Sequence, residues 1–121
     1  MLSLAVGVAA GLGAVARLLL DRAVTARAPG RFPFGTLAVN VSGSFVLGLV
    51  TGWAAHHGLS ARAALVLGAG FAGGFTTLST LAWETIWLAE DFRPMAAACY
   101  AGGSALAGLL AAAAGLGLAL L

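Results

Sequence analysis

Apolar residues in this chain gather into four long runs, roughly Leu2 to Leu20, Phe34 to Ala55, Ala63 to Leu88 and Met95 to Leu121, parted by short polar stretches. Each run is near or above the ~20 residues a helix needs to cross a bilayer. The pattern therefore predicts an all-α membrane protein of four transmembrane helices. The runs use nearly the whole of the 121 residues. Residues 1–121 are thus expected to form a single four-helix domain, with loops too short and too poor in ligand residues for a catalytic domain, and no enzyme is predicted. No basic residue precedes the first run, which is also longer than a signal peptide's apolar core, so it is expected to be a retained helix.

The polar positions inside the runs carry the next layer. In the first run Gly7, Gly11 and Gly13, with Ala10 and Ala14, form a small-residue face suited to close helix packing. Arg17 lies about a turn before a helix end expected at Asp21. There it either snorkels to the interface or gives an aqueous vestibule a positive charge that concentrates anions. Residues 21–34, with Arg22, Arg27, Arg31 and the Pro29-Gly30 turn, read as a solvated connector. In the second run Thr36, Asn40 and Ser44 recur every four residues on one face, which Gly48 and Gly52 continue. Ser44 can bond its own backbone. The Asn40 amide must either join a neighbouring helix or line a polar path, and the in-register hydroxyls favour the path.

The third run holds the stretch around which the chain is organised, GFAGGFTTLSTLAWE from Gly70 to Glu84. The Gly73-Gly74 pair weakens the helix, predicting a break near Gly73–Thr77 that frees backbone groups at membrane depth. Such breaks border protein or water-filled cavities and build ion sites from carbonyls and half-helix ends. The alternative for the glycines is close packing. Beyond the break Thr76, Thr80 and Glu84 share one face by four-residue spacing, while Leu78 and Leu81 share another. Glu84 is either a functional intramembrane carboxylate or a solvated group one turn from the helix end at Glu90. The fourth helix starts after Arg93-Pro94 and again repeats polar into small, as Tyr100, Ser104 and Gly108.

Composition agrees: 61% hydrophobic, 8% charged and a mean hydropathy of +1.03 make a soluble class improbable. Arginines near helix ends carry the net charge of +2 without a basic stripe, which suits lipid headgroups and argues against nucleic acid. Cys99 is the only cysteine. The adjacent His56 and His57 point apart and lack further ligands, so they read as interfacial, and Trp53, Trp83 and Trp87 fit an aromatic belt. Three helices bring neutral donors, and no lysine or acidic ring occurs. Amide N–H and hydroxyl O–H groups fit a small, strongly hydrated anion.

On GLGAVAR at Gly11 to Arg17, GTLAVNVSGSF at Gly35 to Phe45 and GFAGGFTTLST at Gly70 to Thr80, the chain resembles the small fluoride channels known as Fluc or CrcB over essentially its whole length. The resemblance implies a passive fluoride exporter in the inner (plasma) membrane, an antiparallel dual-topology dimer among lipid with two pores at the subunit interface. By that likeness Asn40 lines the fluoride path, Tyr100 and Ser104 form a polar track, and Ser79, Thr80 and Glu84 match the pore-exit region. A structural sodium ion at the dimer centre would rest on the backbone carbonyls of Gly73 and Thr76 and their equivalents. The chain departs from the family where phenylalanines usually contact fluoride, at Leu78 and Leu81, and where a second helix-four serine often stands, at Gly108. Arg22, Arg27, Arg31 and Arg93 share one side, with Arg62 alone opposite. That bias suits a single orientation and a heterodimer with a paralogue supplying the missing aromatic groups. The rivals are a proton-coupled exporter of the small multidrug resistance type, for which only Glu84 could serve as the coupling carboxylate, and a non-conducting assembly subunit.

Overall fold

A computed structural model describes all 121 residues, and every regular element in it is helical. α1 (Leu2–Arg27) and α2 (Phe34–His56) are continuous. The third span is composite: α3 (Ala61–Leu65), a π-helical segment (Val66–Ala72), the single turn α4 (Gly73–Phe75), three non-helical residues at 76–78, and α5 (Ser79–Glu90). α6 (Pro94–Ala119) closes the chain. Four stretches are long and apolar enough to cross a membrane: Leu2–Arg27, Phe34–His56, Ala61–Glu90 and Pro94–Ala119. The expected class, four spans with the third broken, is the class observed.

Two expectations are corrected. The first helix does not end at Asp21 but runs to Arg27. Nothing between Asp21 and Arg27 opposes helix, neither glycine nor proline occurring before Pro29, and the Arg27 side chain caps its own last turn on the Ala23 carbonyl at 3.3 Å. The connector shrinks to residues 28–33, and Arg17 stands nearly three turns from the helix end, roughly 15 Å along the axis at 1.5 Å per residue. The second correction concerns the small-residue face of α1. A Cβ on Gly13 would strike the Phe71 carbonyl and the Phe75 amide, whereas Gly7 and Gly11 have nothing within 4 Å. Of the three glycines only Gly13 packs inside this chain.

Glycine sets the close crossings. Gly74 lies on the Ala10 carbonyl and Gly70 on Ala9 and Val6, so α1 and the third span interlock in both directions. α2 and α6 do the same, Gly48 on Ala112 and Gly115 on the Phe45 carbonyl. The glycine pair thus serves packing as well as the break: Gly73 itself is helical, at φ −63° and ψ −40°, and the chain leaves the helix at Thr76, at φ −80° and ψ 161°.

Only 19 of 121 residues are buried. The large apolar side chains point outward, Leu4, Val8, Leu12, Val15 and Leu19 down α1 among them. Such a surface in water would aggregate; in hydrocarbon it faces lipid. At one end the Arg31 guanidinium pairs with Asp91 at 2.6 Å, tying the α1–α2 connector to the α5–α6 turn and placing both on one side. The pair is exposed and contributes on the order of 1 kcal/mol or less. At the other end the His57 Nε2–H donates to the Ala119 carbonyl at 2.5 Å, fastening α2 to the C-terminal turn of α6.

Candidate functional site

The break is held from outside. Asn40 Nδ2 donates to the Thr77 carbonyl at 2.8 Å, and Asn40 Oδ1 accepts from the Thr77 amide at 2.8 Å. One side chain thereby replaces two helical bonds that the break removes, which satisfies backbone that lipid could not. An amide nitrogen has two hydrogens. Asn40 Nδ2 makes no other protein hydrogen bond, and Asn40 lines an open cavity of about 590 Å³ together with Ser44, Gly73, Thr76, Leu78 and Leu81. Of the two alternatives for Asn40, the first is thus realised in part: the amide joins a neighbouring span and still borders a cavity.

The break also changes which hydroxyls face together. Four-residue spacing put Thr76 with Thr80 and Glu84, but residues 76–78 are not helical and the register shifts. Thr76 turns its hydroxyl back to the Ala72 carbonyl at 2.9 Å. Thr77 takes its place: its Oγ1 bonds the Thr80 hydroxyl at 3.1 Å, accepts from the Thr80 amide at 3.2 Å and lies 3.4 Å from the Ser79 hydroxyl. That satisfies one orphan amide of the first turn of α5. Thr77, together with Arg17, Asp21, Thr36 and Thr80, lines a smaller cavity of about 250 Å³. Arg17 neither snorkels outward nor sits at a helix end; its guanidinium reaches the break and donates to the Thr76 carbonyl at 3.5 Å.

Glu84 is half-buried and held on both carboxylate oxygens. Thr36 Oγ1 donates to Oε1 at 2.9 Å and the Tyr100 hydroxyl to Oε2 at 2.6 Å, bringing α2, α5 and α6 to one carboxylate. Tyr100 is 1% exposed. One turn on, Ser104 is also buried, and its Oγ is the one buried side-chain polar atom without a hydrogen-bond partner. The two leucines separate. Leu78 stands 77% exposed at the break, while Leu81 packs beside Leu88, Ala97 and Tyr100. Ser79 is exposed at the start of α5.

Asn40, Thr77 and Thr80 therefore meet, and Glu84 meets Tyr100, whereas Leu78 and Ser79 face outward. Thr36 and Thr77 join the site beyond the expected residues. Thr36 shares the four-residue face of Asn40, a signal that was readable; Thr77 carried none, because no spacing rule crosses a break.

The resemblance assigns a cation to the Gly73 and Thr76 carbonyls, of which the Thr76 carbonyl already accepts from the Arg17 guanidinium at 3.5 Å. Thr77 donates its amide to Asn40 and Thr80 donates its amide to Thr77 Oγ1, so neither carbonyl receives its helical donor. Both residues line the larger cavity. Two oxygens are too few for such an ion, which takes six or so.

A third span interrupted at membrane depth, with hydroxyl, amide and carboxylate groups drawn together inside it, defines a small multi-pass membrane protein built around a polar track. The chain belongs to the CrcB-like family: the family described as "CrcB-like protein, Camphor Resistance (CrcB)" matches residues 4–116. It is 55% identical over 94 residues to "Fluoride-specific ion channel FluC 1" of Leifsonia xyli subsp. xyli, covering 78% of this chain and 69% of that one. It is 47% identical over 119 residues to "Fluoride-specific ion channel FluC 2" of Cutibacterium acnes, covering 98% and 97%. A third relative, "Fluoride-specific ion channel FluC" of Novosphingobium aromaticivorans, is 42% identical over 106 residues.

Proposed function

We propose that this chain is a subunit of a passive fluoride channel, a conduction path rather than a catalytic site, acting to export fluoride across the cell membrane. Relatives at up to 55% identity bear the name of fluoride-specific channels. Within the chain the reading rests on one observation above the others, the buried Ser104 hydroxyl without an acceptor. A buried O–H with no partner costs roughly 1–3 kcal/mol. A small anion passing along α6 supplies the acceptor, and the neighbouring donors are neutral, so they replace hydration without trapping the ion as a buried cation would.

In this reading Arg17 raises anion concentration in the smaller cavity, Asn40 offers its free N–H, Tyr100 and Ser104 form a track, and Ser79, Thr80 and Glu84 border the exit. Leu78 and Leu81 offer no electropositive ring edge. We assign the missing edges to a second subunit over the open cavity beside Leu78. That subunit is either an antiparallel copy or a paralogue, and the one-sided arginines favour the paralogue. The decisive test is fluoride efflux from proteoliposomes holding this chain alone and with a paralogous partner. No efflux in either condition sinks the channel, and conventional efflux from the chain alone removes the need for a paralogue.

The Gly73 and Thr76 carbonyls, with their equivalents from the second subunit, are proposed to hold sodium, which supplies fixed positive charge beside the anion paths. Replacing all sodium by a bulky organic cation should then lower the thermal stability of the dimer; unchanged stability and efflux would remove the ion from this account. Ser104→Ala gives a prediction of mixed sign. Deleting an unpaired buried hydroxyl leaves the fold as stable as before or more so, by up to about 1 kcal/mol, while fluoride efflux falls. A variant less stable and fully active would show that Ser104 only packs.

A further inference from the structure

Phe32 belongs to the connector expected to be merely solvated, yet its ring is partly buried against the cluster of Leu88, Ala97 and Tyr100. It meets the Tyr100 ring edge-on, centroids 5.4 Å apart and planes at 80°, the favoured geometry for an aromatic pair. The Phe34 ring also lies against it, tilted at 48° with centroids 4.7 Å apart. The backbone gives it little freedom. Pro33 follows it at the start of α2, the Phe34 amide donates to the Phe32 carbonyl at 2.9 Å, and Arg31 before it is paired with Asp91. The ring it touches carries the hydroxyl that donates to Glu84 Oε2 at 2.6 Å.

We propose that Phe32 is a positioning residue, a fixed wall that holds the Tyr100 ring in the one orientation that aims its hydroxyl at Glu84. Both carboxylate oxygens then stay engaged, one by Thr36 and one by Tyr100. Resting on the channel reading, this gives the connector a role in conduction. A carboxylate beside an anion path repels the ion, and two charge-assisted donors hold that charge in a defined place. Without the Phe32 ring Tyr100 can turn into the vacated space, and Glu84 is freed toward the path.

Tyr100 is the only tyrosine in the chain, so tyrosine labelled with carbon-13 at Cζ reports this one hydroxyl. Phe32→Leu keeps apolar volume and Phe32→Ala removes it. In both, the Tyr100 resonance of the reconstituted protein should move toward its position in Glu84→Ala, further in Phe32→Ala. Fluoride efflux in Phe32→Ala should fall about tenfold, the order expected for losing one hydrogen bond to a charged group. The double variant with Tyr100→Phe should conduct no less than Tyr100→Phe alone. A Tyr100 resonance unmoved in both Phe32 variants overturns the proposal, as do efflux losses that multiply in the double variant. Efflux absent from the unsubstituted protein both alone and with a paralogous partner overturns the channel reading instead, and the resonance then decides the role of Phe32 by itself.

Discussion

Asn40→Asp is expected to reduce fluoride efflux to the background of empty vesicles. The ionised carboxylate can still accept from the Thr77 amide, but it has no hydrogen to give the Thr77 carbonyl, which Asn40 Nδ2 meets at 2.8 Å. An oxygen there faces an oxygen, and the break opens. The same change places a negative charge on the wall of the 590 Å³ cavity, where the free amide N–H had offered a donor. Asn40→Ala separates the two effects, since it adds no charge but leaves both Thr77 groups unpaired at roughly 1–3 kcal/mol each. Vesicle efflux read with a fluoride electrode, beside thermal stability of the purified protein, resolves them. Aspartate should harm conduction beyond its harm to stability, and alanine should harm both together. Aspartate conducting at the unsubstituted rate would remove Asn40 from the path.

The second large effect separates two adjacent glycines. A Cβ at Gly74 would run into the Ala10 carbonyl, an atom of helix backbone that cannot give way without moving α1. Gly74→Ala should therefore cost about 3 kcal/mol or more, the upper range for overpacking. A Cβ at Gly73 meets only the Gly68 carbonyl at 3.7 Å, ordinary contact, and the backbone there is helical. Gly73→Ala should leave the chain's own stability unchanged or raise it by up to about 1 kcal/mol, since alanine prefers a helix. Any loss it causes belongs to assembly with a second subunit, because Gly73 borders the open cavity. Thermal unfolding of the two variants in one detergent makes the comparison, and equal destabilisation would refute it.

These two sites show how far spacing carries. Asn40 was legible because an amide at membrane depth has few bland explanations, and Glu84 for the same reason. The partners of each were not, since Asn40 binds a residue 37 positions away and Glu84 one 48 positions away. The apolar pattern understates α1, because the apolar run ends near Leu20 while helix propensity continues to Arg27. The α1–α2 connector is hidden for a related reason: three arginines and the Pro29-Gly30 turn read as solvent-facing, and only packing reveals the ring of Phe32 against Tyr100.

The sequence by itself determined the number of spans, the place of the interruption and the neutral, donor-rich character of the track. Hydrocarbon demands about 20 apolar residues per span, and it tolerates amides and carboxylates only where they are paired. Tertiary structure decided the rest: that Gly74 packs while Gly73 lines a cavity, that Thr77 rather than Thr76 joins the hydroxyl cluster, and that Glu84 is held by two helices at once. A four-residue rule holds only along unbroken helix. At a break the backbone turns by an amount set by its neighbours, here by Asn40 of α2 and Ala10 of α1, and what faces what is settled by contact.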